Sequence, residues 1–349
     1  MHTLGIDLHK QFALWSLLDQ KGNVLWQKKL ITDLEKLPEE TKCLPSPCQA
    51  VLEPTGCFSL YAEILKDRGI DTHLAHPIKV KYIAESKNKN DKVDATILAQ
   101  LLRANFLPEA YLPSQAIREL RSLLIYRNQL VSMRTMAKNR MRMLLNQLGI
   151  KTKLSDIFGK KGIIFLRGLE LSIINQIQRD QLIHLVGTLN SQIKILNQSL
   201  ERITKKDDDV QRMITIPTIG LIASVTIKAY VGDFKRFPDS SKLVSYAGLI
   251  PSVRQSGEHT KTGHITKEGP RLLRAVLVQS ITGMKPSAGY LYEQYHKKGK
   301  EIGYKKARVM MAKKLLIIAF RIVKDKTTYV DNPLNTKKMG KTCYLNSAS

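Results

Sequence analysis

Four acids and one serine are the residues of this chain whose types and spacing could do chemistry. Asp7 stands in Leu4-Gly5-Ile6-Asp7-Leu8, near the end of a short apolar run. A carboxylate there is costly for an ordinary core strand, because a buried charge needs a partner. Glu53 stands in Ala50-Val51-Leu52-Glu53-Pro54-Thr55-Gly56, again where an apolar run meets turn residues. Asp91 and Asp94 stand in Asn90-Asp91-Lys92-Val93-Asp94-Ala95, where a polar segment becomes a helix. Three apart at a helix start, those two share a face. Four such acids can converge at one end of a sheet and hold two magnesium ions, which take oxygen ligands and leave positions open for a phosphate. Taken singly, each is more often a surface acid or, for Asp91, a helix N-cap. The order Asp, Glu, Asp-x-x-Asp at strand and helix ends makes the set specific. Ser256 precedes Gly257 in a segment, 248–274, that is rich in Gly and base and reads as a flexible cationic loop. A serine there could attack a phosphate, with Arg254, Lys261, Lys267, Arg271 and Arg274 stabilising the charge. A turn or phosphate-binding serine is the more usual role.

The elements that must position these groups follow from the hydrophobic pattern. Residues 3–9, 11–18 and 24–30 read as three strands of a β-meander, with a turn at 19–23. Thr32 can cap a helix over 33–42. Strands at 49–52 and 72–75 alternate with helical stretches at 58–68, 78–87 and 93–104. Three strands, helix, strand, helix, strand, helix is the order of an RNase H-like α/β fold. Beyond it, 114–148 and about 180–205 carry apolar stripes at helical spacing, which predicts an antiparallel hairpin or a coiled-coil dimer element. Ile214 to Ser224, with Pro217 and Gly220, has the pattern of a helix-hairpin-helix turn, whose backbone N–H groups at Ile219 and Gly220 would face a phosphate. Residues 272–282 and 304–323 are apolar helices that close the last domain, and the chain after about Lys324 reads as a loose tail. The domains expected are 1–110, 111–206 as a long-helix linker, 207–325, and 326–349 as a polar tail.

The chain carries a formal charge of +26 over 349 residues. Residues 1–100 hold 13 basic and 13 acidic side chains, and the remainder holds 43 basic against 17 acidic. A neutral first domain is thus followed by a strongly basic one, the footprint of a polyanion-binding surface. Arg118, Arg121, Arg127, Arg134, Lys138, Arg140 and Arg142 decorate the first long helix and are the phosphate-contact candidates there. No apolar run reaches the ~18 residues of a membrane span, so no membrane partner is expected. No leader is expected ahead of the first strand, and the four cysteines show no paired metal spacing. A reducing cytoplasm is the expected compartment.

Together these residues resemble the IS one-ten transposases of bacterial insertion sequences, called DEDD transposases for their four acids. The marks are Gly5-Ile6-Asp7, Glu53-Pro54-Thr55-Gly56, Asp91-Lys92-Val93-Asp94-Ala95, Ile216-Pro217-Thr218-Ile219-Gly220, Gln255-Ser256-Gly257, and Gly263 to Gly269 followed by Leu273-Arg274. The match extends from residue 1 to about 325. The resemblance implies a RuvC-like first domain in which Asp7, Glu53, Asp91 and Asp94 bind Mg2+. It implies a C-terminal transposase domain whose Ser256 forms a covalent phosphoserine link to DNA. It also implies a homo-oligomer, a dimer of dimers, with acids from one subunit and serine from another. An element-encoded guide (bridge) RNA would choose the donor and target DNA, in a bacterial cytoplasm. Two rivals stand beside this reading: a RuvC-like nuclease or Holliday-junction resolvase that hydrolyses with metal-activated water, and a non-catalytic RNase H-like scaffold for a basic nucleic-acid-binding arm.

Overall fold

A computed structural model of the chain describes residues 1–83, 91–256 and 259–331; for 91–92, 254–256 and 259–262 it describes the backbone alone. The chain divides into two compact units, Met1–Pro113 and Ser114–Ser349.

The first unit is built on β1 (His2–Leu8), β2 (Phe12–Leu18) and β3 (Val24–Ile31), an antiparallel meander. A short helix, α1 (Leu37–Glu40), precedes β4 (Cys48–Leu52), which returns parallel to β1. Helix α2 (Phe58–Asp67) leads to β5 (Asp71–Leu74), parallel to β4, giving the sheet order β3-β2-β1-β4-β5. Helices α3 (Pro77–Ile83) and α4 (Asp91–Arg103) complete the unit. Alternation along β1 decides everything that follows. Leu4, Ile6 and Leu8 join Trp15, Leu52, Tyr61 and Leu65 in one buried layer. With the side-chain period of two, Gly5 and Asp7 must point to the opposite face, where Val51, Val80, Leu98 and Leu102 form a second layer beneath α4.

Gly5 is required at that face. A Cβ there would run into the carbonyl of Ala95 and come within 2.9 Å of the Ala99 amide. The backbone of α4 therefore lies directly on β1. The helix expected over 33–42 is instead one turn, because the Thr32 hydroxyl donates to the His9 carbonyl at 3.0 Å rather than capping a helix.

The second unit opens on α5 (Gln115–Gln147) and continues through α6 (Lys160–Arg167) and α7 (Ile173–Thr204). Arg127 Nε donates to Asn197 Oδ1 at 2.7 Å and Arg134 Nη1 to Asn190 Oδ1 at 3.0 Å, so α5 and α7 run antiparallel within one chain. Leu130, Leu189 and Ile193 fill their seam. Helix α6, not anticipated, lies between them in sequence; buried Arg179 donates to the Leu166, Arg167 and Leu169 carbonyls at its end. Helices α8 (Asp208–Ile214), α9 (Leu221–Val231) and α10 (Ser240–Tyr246) follow. The segment expected as a loop is an antiparallel hairpin, β6 (Pro251–Ser256) with β7 (His259–Ile265). Helices α11 (Arg271–Thr282), α12 (Tyr290–Ile302) and α13 (Tyr304–Lys324) end the unit, α12 again unanticipated. Helix α9 is buried nearly all round, as its lack of a polar face requires, and packs with α11 and α13 in one core. The start of the expected loose tail is anchored: the Tyr329 amide donates to Thr215 Oγ1 at 2.9 Å, and Asp331 Oδ2 accepts from the Tyr290 amide at 3.2 Å. Residues 332–349 lie outside the described residues.

Replacing Gly5 by Ala should push α4 off the sheet. A loss of about 1–3 kcal/mol in unfolding free energy is expected from overpacking of this kind, measured by denaturant titration of the full chain. An unchanged midpoint would contradict the close approach.

Candidate active site

Three of the four acids come together in the first unit. Asp7 is the last residue but one of β1, and its register partner on β4 would be the residue after Leu52, which is Glu53. The turn carrying Glu53 is tied to β1, because the Thr55 hydroxyl donates to the Leu8 carbonyl at 2.5 Å. Helix α4 crosses the same face and brings Asp94 to it. Glu53 and Asp94 line one cavity of about 300 Å3 with Pro77, Val80, Lys81, Ile97 and Leu98. The fourth acid, Asp91, is the first residue of α4, three before Asp94; its side chain lies outside the described residues.

The electrostatics show what this face lacks. Burial, then the charges of Asp7 and Asp94, push the Glu53 carboxyl above its ordinary value, and His9 opposes the shift. Like charges that raise one another disfavour full ionisation. A cation relieves them, and hard divalent cations take carboxylate oxygens. The donor chemistry therefore fits a divalent ion of the magnesium type. Among the described residues, no three His, Cys, Asp or Glu side chains are drawn close enough to enclose one.

His9 and Lys81 were not anticipated. His9 Nε2 lies 3.0 Å from Asp7 Oδ2, within hydrogen-bond reach. The signal was available in the sequence as an Asp-x-His at a strand end. Lys81 had no such signal, because a helix start 24 residues beyond Glu53 gives no spacing that would link them.

Ser256 is the last residue of β6 and stands opposite His259 in the hairpin register. Arg254 stands opposite Lys261 on the same pair of strands; the side chains of all four lie outside the described residues. Among the basic candidates, two donate to backbone carbonyls. Arg121 donates to the Ala229 and Tyr230 carbonyls at 2.6 and 3.2 Å, at the end of α9. Arg274 donates to the Ala247, Glu268 and Gly269 carbonyls at 2.9–3.2 Å. Arg142 meets Asn139 at 2.9 Å and Lys138 sits over the Phe158 ring. Arg140, Lys267 and Arg271 are exposed, and Arg118 is half-buried. Ile219 is core, and Gly220 is the exposed residue before α9.

The Glu53 shift has a sign. A carboxyl raised in the folded state contributes stability below its ordinary value and loses it as pH climbs through the raised one. In chelated buffer, wild type should lose stability relative to Glu53→Gln as pH rises above the ordinary carboxylate range, because the folded carboxyl resists ionisation there. Parallel pH–stability curves for the two proteins would contradict it.

Comparison with known proteins gives the family. A DEDD-type IS110 model, described as a transposase, matches residues 4–150, and a model for the transposase IS116/IS110/IS902 family matches residues 210–297. The transposase for insertion sequence element IS1111A of Coxiella burnetii is 25% identical over 284 residues, covering 80% of this chain and 77% of the relative. The transposase for IS1328 of Yersinia enterocolitica is 26% identical, covering 79% and 81%. A probable family 20 transposase of Pseudomonas aeruginosa is 24% identical, covering 80% and 82%. With both ends of the fold matched in order, by the model that spans the acids and the model that spans the serine, this chain belongs to the IS110/IS116 family and is an insertion-sequence transposase.

Proposed function

We propose that this transposase is an RNA-guided DNA recombinase that works through a covalent phosphoserine intermediate. The observation that supports it best is the Glu53 carboxyl at one end of the sheet, raised by burial and by the charges of Asp7 and Asp94 and sharing a cavity with Asp94. Asp7, Glu53, Asp91 and Asp94 would hold magnesium, which when bound supplies positive charge to a phosphate oxygen. The sheet end and α4 carry those carboxylates, and His9 lies within hydrogen-bond reach of Asp7.

The serine does the bond exchange in this reading. Ser256 Oγ forms a bond to the DNA phosphorus, one bridging P–O bond breaks, and the freed strand end leaves as a hydroxyl carrying the proton that the serine gave up. Religation reverses the step with a hydroxyl from another strand, so the phosphodiester count is conserved and no water is consumed. Exchange between strands needs several active sites at once, which the proposed dimer of dimers provides, each site taking acids from one subunit and serine from another. The excess of 43 basic over 17 acidic residues beyond residue 100 suits a unit that holds DNA and a guide RNA together.

Ser256→Ala should abolish strand exchange and the protein–DNA adduct seen on denaturing gels, while DNA binding persists. Asp7→Ala should also abolish exchange. Cleavage retained in Ser256→Ala but lost in Asp7→Ala would replace the serine step by hydrolysis. Sequencing of RNA that copurifies with the full chain from its host should recover one dominant element-encoded species. A mixture tracking cellular RNA abundance would remove the guide.

A further inference from the structure

A cavity of about 490 Å3 lies in the second unit, away from the hairpin that carries Ser256 in sequence. Its walls come from four helices: Arg127 and Arg134 from α5, Asn197 from α7, Gly220 and Leu221 at the start of α9, and Ser280 from α11. The two arginines are seven residues apart, two helical turns, and so share one face of α5. Each guanidinium makes one hydrogen bond, to the neutral side-chain carbonyl of Asn197 or Asn190. Among the described residues neither meets a carboxylate, and no acid lines the cavity. Burial, then the neighbouring Arg134 charge, holds the Arg127 guanidinium below its ordinary value. Two half-buried cations side by side on one helix face, with no carboxylate among the described residues to meet them, are unfavourable alone and favourable around an anion.

The third wall has the same polarity. Gly220 precedes α9 with no side-chain cap, and the first amide of the helix to find a backbone acceptor is that of Ser224, which donates to the Gly220 carbonyl. The amides before it have no acceptor within the helix. An anion in the cavity would meet planar guanidinium forks on one side and helix amides on the other.

We propose that this cavity seats one backbone phosphodiester of a bound nucleic acid, gripped by Arg127 and Arg134 against the first turn of α9. The proposal rests on the reading above that the basic unit holds nucleic acid. It distinguishes Arg127 and Arg134 from Arg121 and Arg274, whose donors already meet backbone carbonyls. Recognition here is independent of base, since every contact is to phosphate.

The test uses the full chain with two labelled probes of arbitrary sequence, a DNA duplex and an RNA hairpin, titrated across salt concentration. Arg134→Gln should weaken binding roughly tenfold, as loss of a charged hydrogen bond does, and lower the slope of log affinity against log salt by about one. Ser280→Asp, which leaves both arginines and the helix in place but puts a carboxylate into the cavity, should do the same. Lys297→Gln, an exposed lysine on α12, removes one charge elsewhere and serves as the reference. A drop confined to the duplex assigns the phosphate to DNA, a drop confined to the hairpin assigns it to RNA, and a drop on both assigns it to either backbone. Wild type that binds both probes steeply with salt, with Arg134→Gln and Ser280→Asp no weaker than Lys297→Gln, overturns the cavity alone. Wild type that binds neither probe overturns the underlying nucleic-acid reading as well.

Discussion

The first unit depends on a backbone-to-backbone contact: α4 lying on β1 at Gly5. Helices usually stand off a sheet by the thickness of a side-chain layer. Here the missing side chain at Gly5 lets the Ala95 carbonyl and the Ala99 amide settle onto the strand. The same geometry decides where charge goes. Asp7 is two residues beyond Gly5 on the same face, and Asp94 is next to Ala95 on the helix. Closing the distance at the glycine therefore closes it between the acids. The carboxylates repel, and apolar packing of Val51, Leu98 and Leu102 must hold the helix down against that repulsion.

That contact also explains why the first unit was legible in the sequence. Its first strand alternates, its second and fourth are apolar runs, its turns carry Asp19, Gly22, Pro54 and Gly56, and its acids break the pattern at strand ends. Period-two alternation fixes the face of each strand residue, so the side of β1 that carries Asp7 followed from parity, while Asp94 reaches it only through the packing of α4. Where local signals were replaced by distant ones, the reading failed. Thr32 looks like an N-cap, yet its hydroxyl is claimed by the carbonyl of His9, 23 residues back. The hairpin of β6 and β7 hid behind glycine and lysine, although Val253, Thr260, Thr262 and Ile265 supply β-branched residues on both sides of Gly257. A Gly-X pair flanked by such residues is a hairpin signal in its own right.

The basic unit was legible in sum and not in detail. Its charge excess is a property of composition, but the partner of each arginine is a property of the tertiary fold. Arg121 and Arg127 are six apart on one helix and look alike in sequence. One donates to carbonyls at the end of α9, 108 and 109 residues away; the other donates to an asparagine on α7. A carbonyl at a helix C-terminus is a partly negative acceptor, so Arg121 is satisfied within the fold. An asparagine oxygen bears no net charge, so Arg127 keeps its full charge unpaired.

The opposite electrostatic states of the two units have one physical consequence in common. The acid face gathers carboxyls that raise one another, and the arginine cavity gathers two guanidiniums that meet no carboxylate among the described residues. Each arrangement costs the free protein stability, since desolvated like charges repel. On the proposed readings each cost would be recovered when an ion of the opposite sign arrives: a divalent cation at the acids, a phosphodiester at the arginines. Binding and folding would then be linked in both units. A nucleic acid with its counter-cations supplies both kinds of ion together, which is what ties the two proposed sites to one charged polymer.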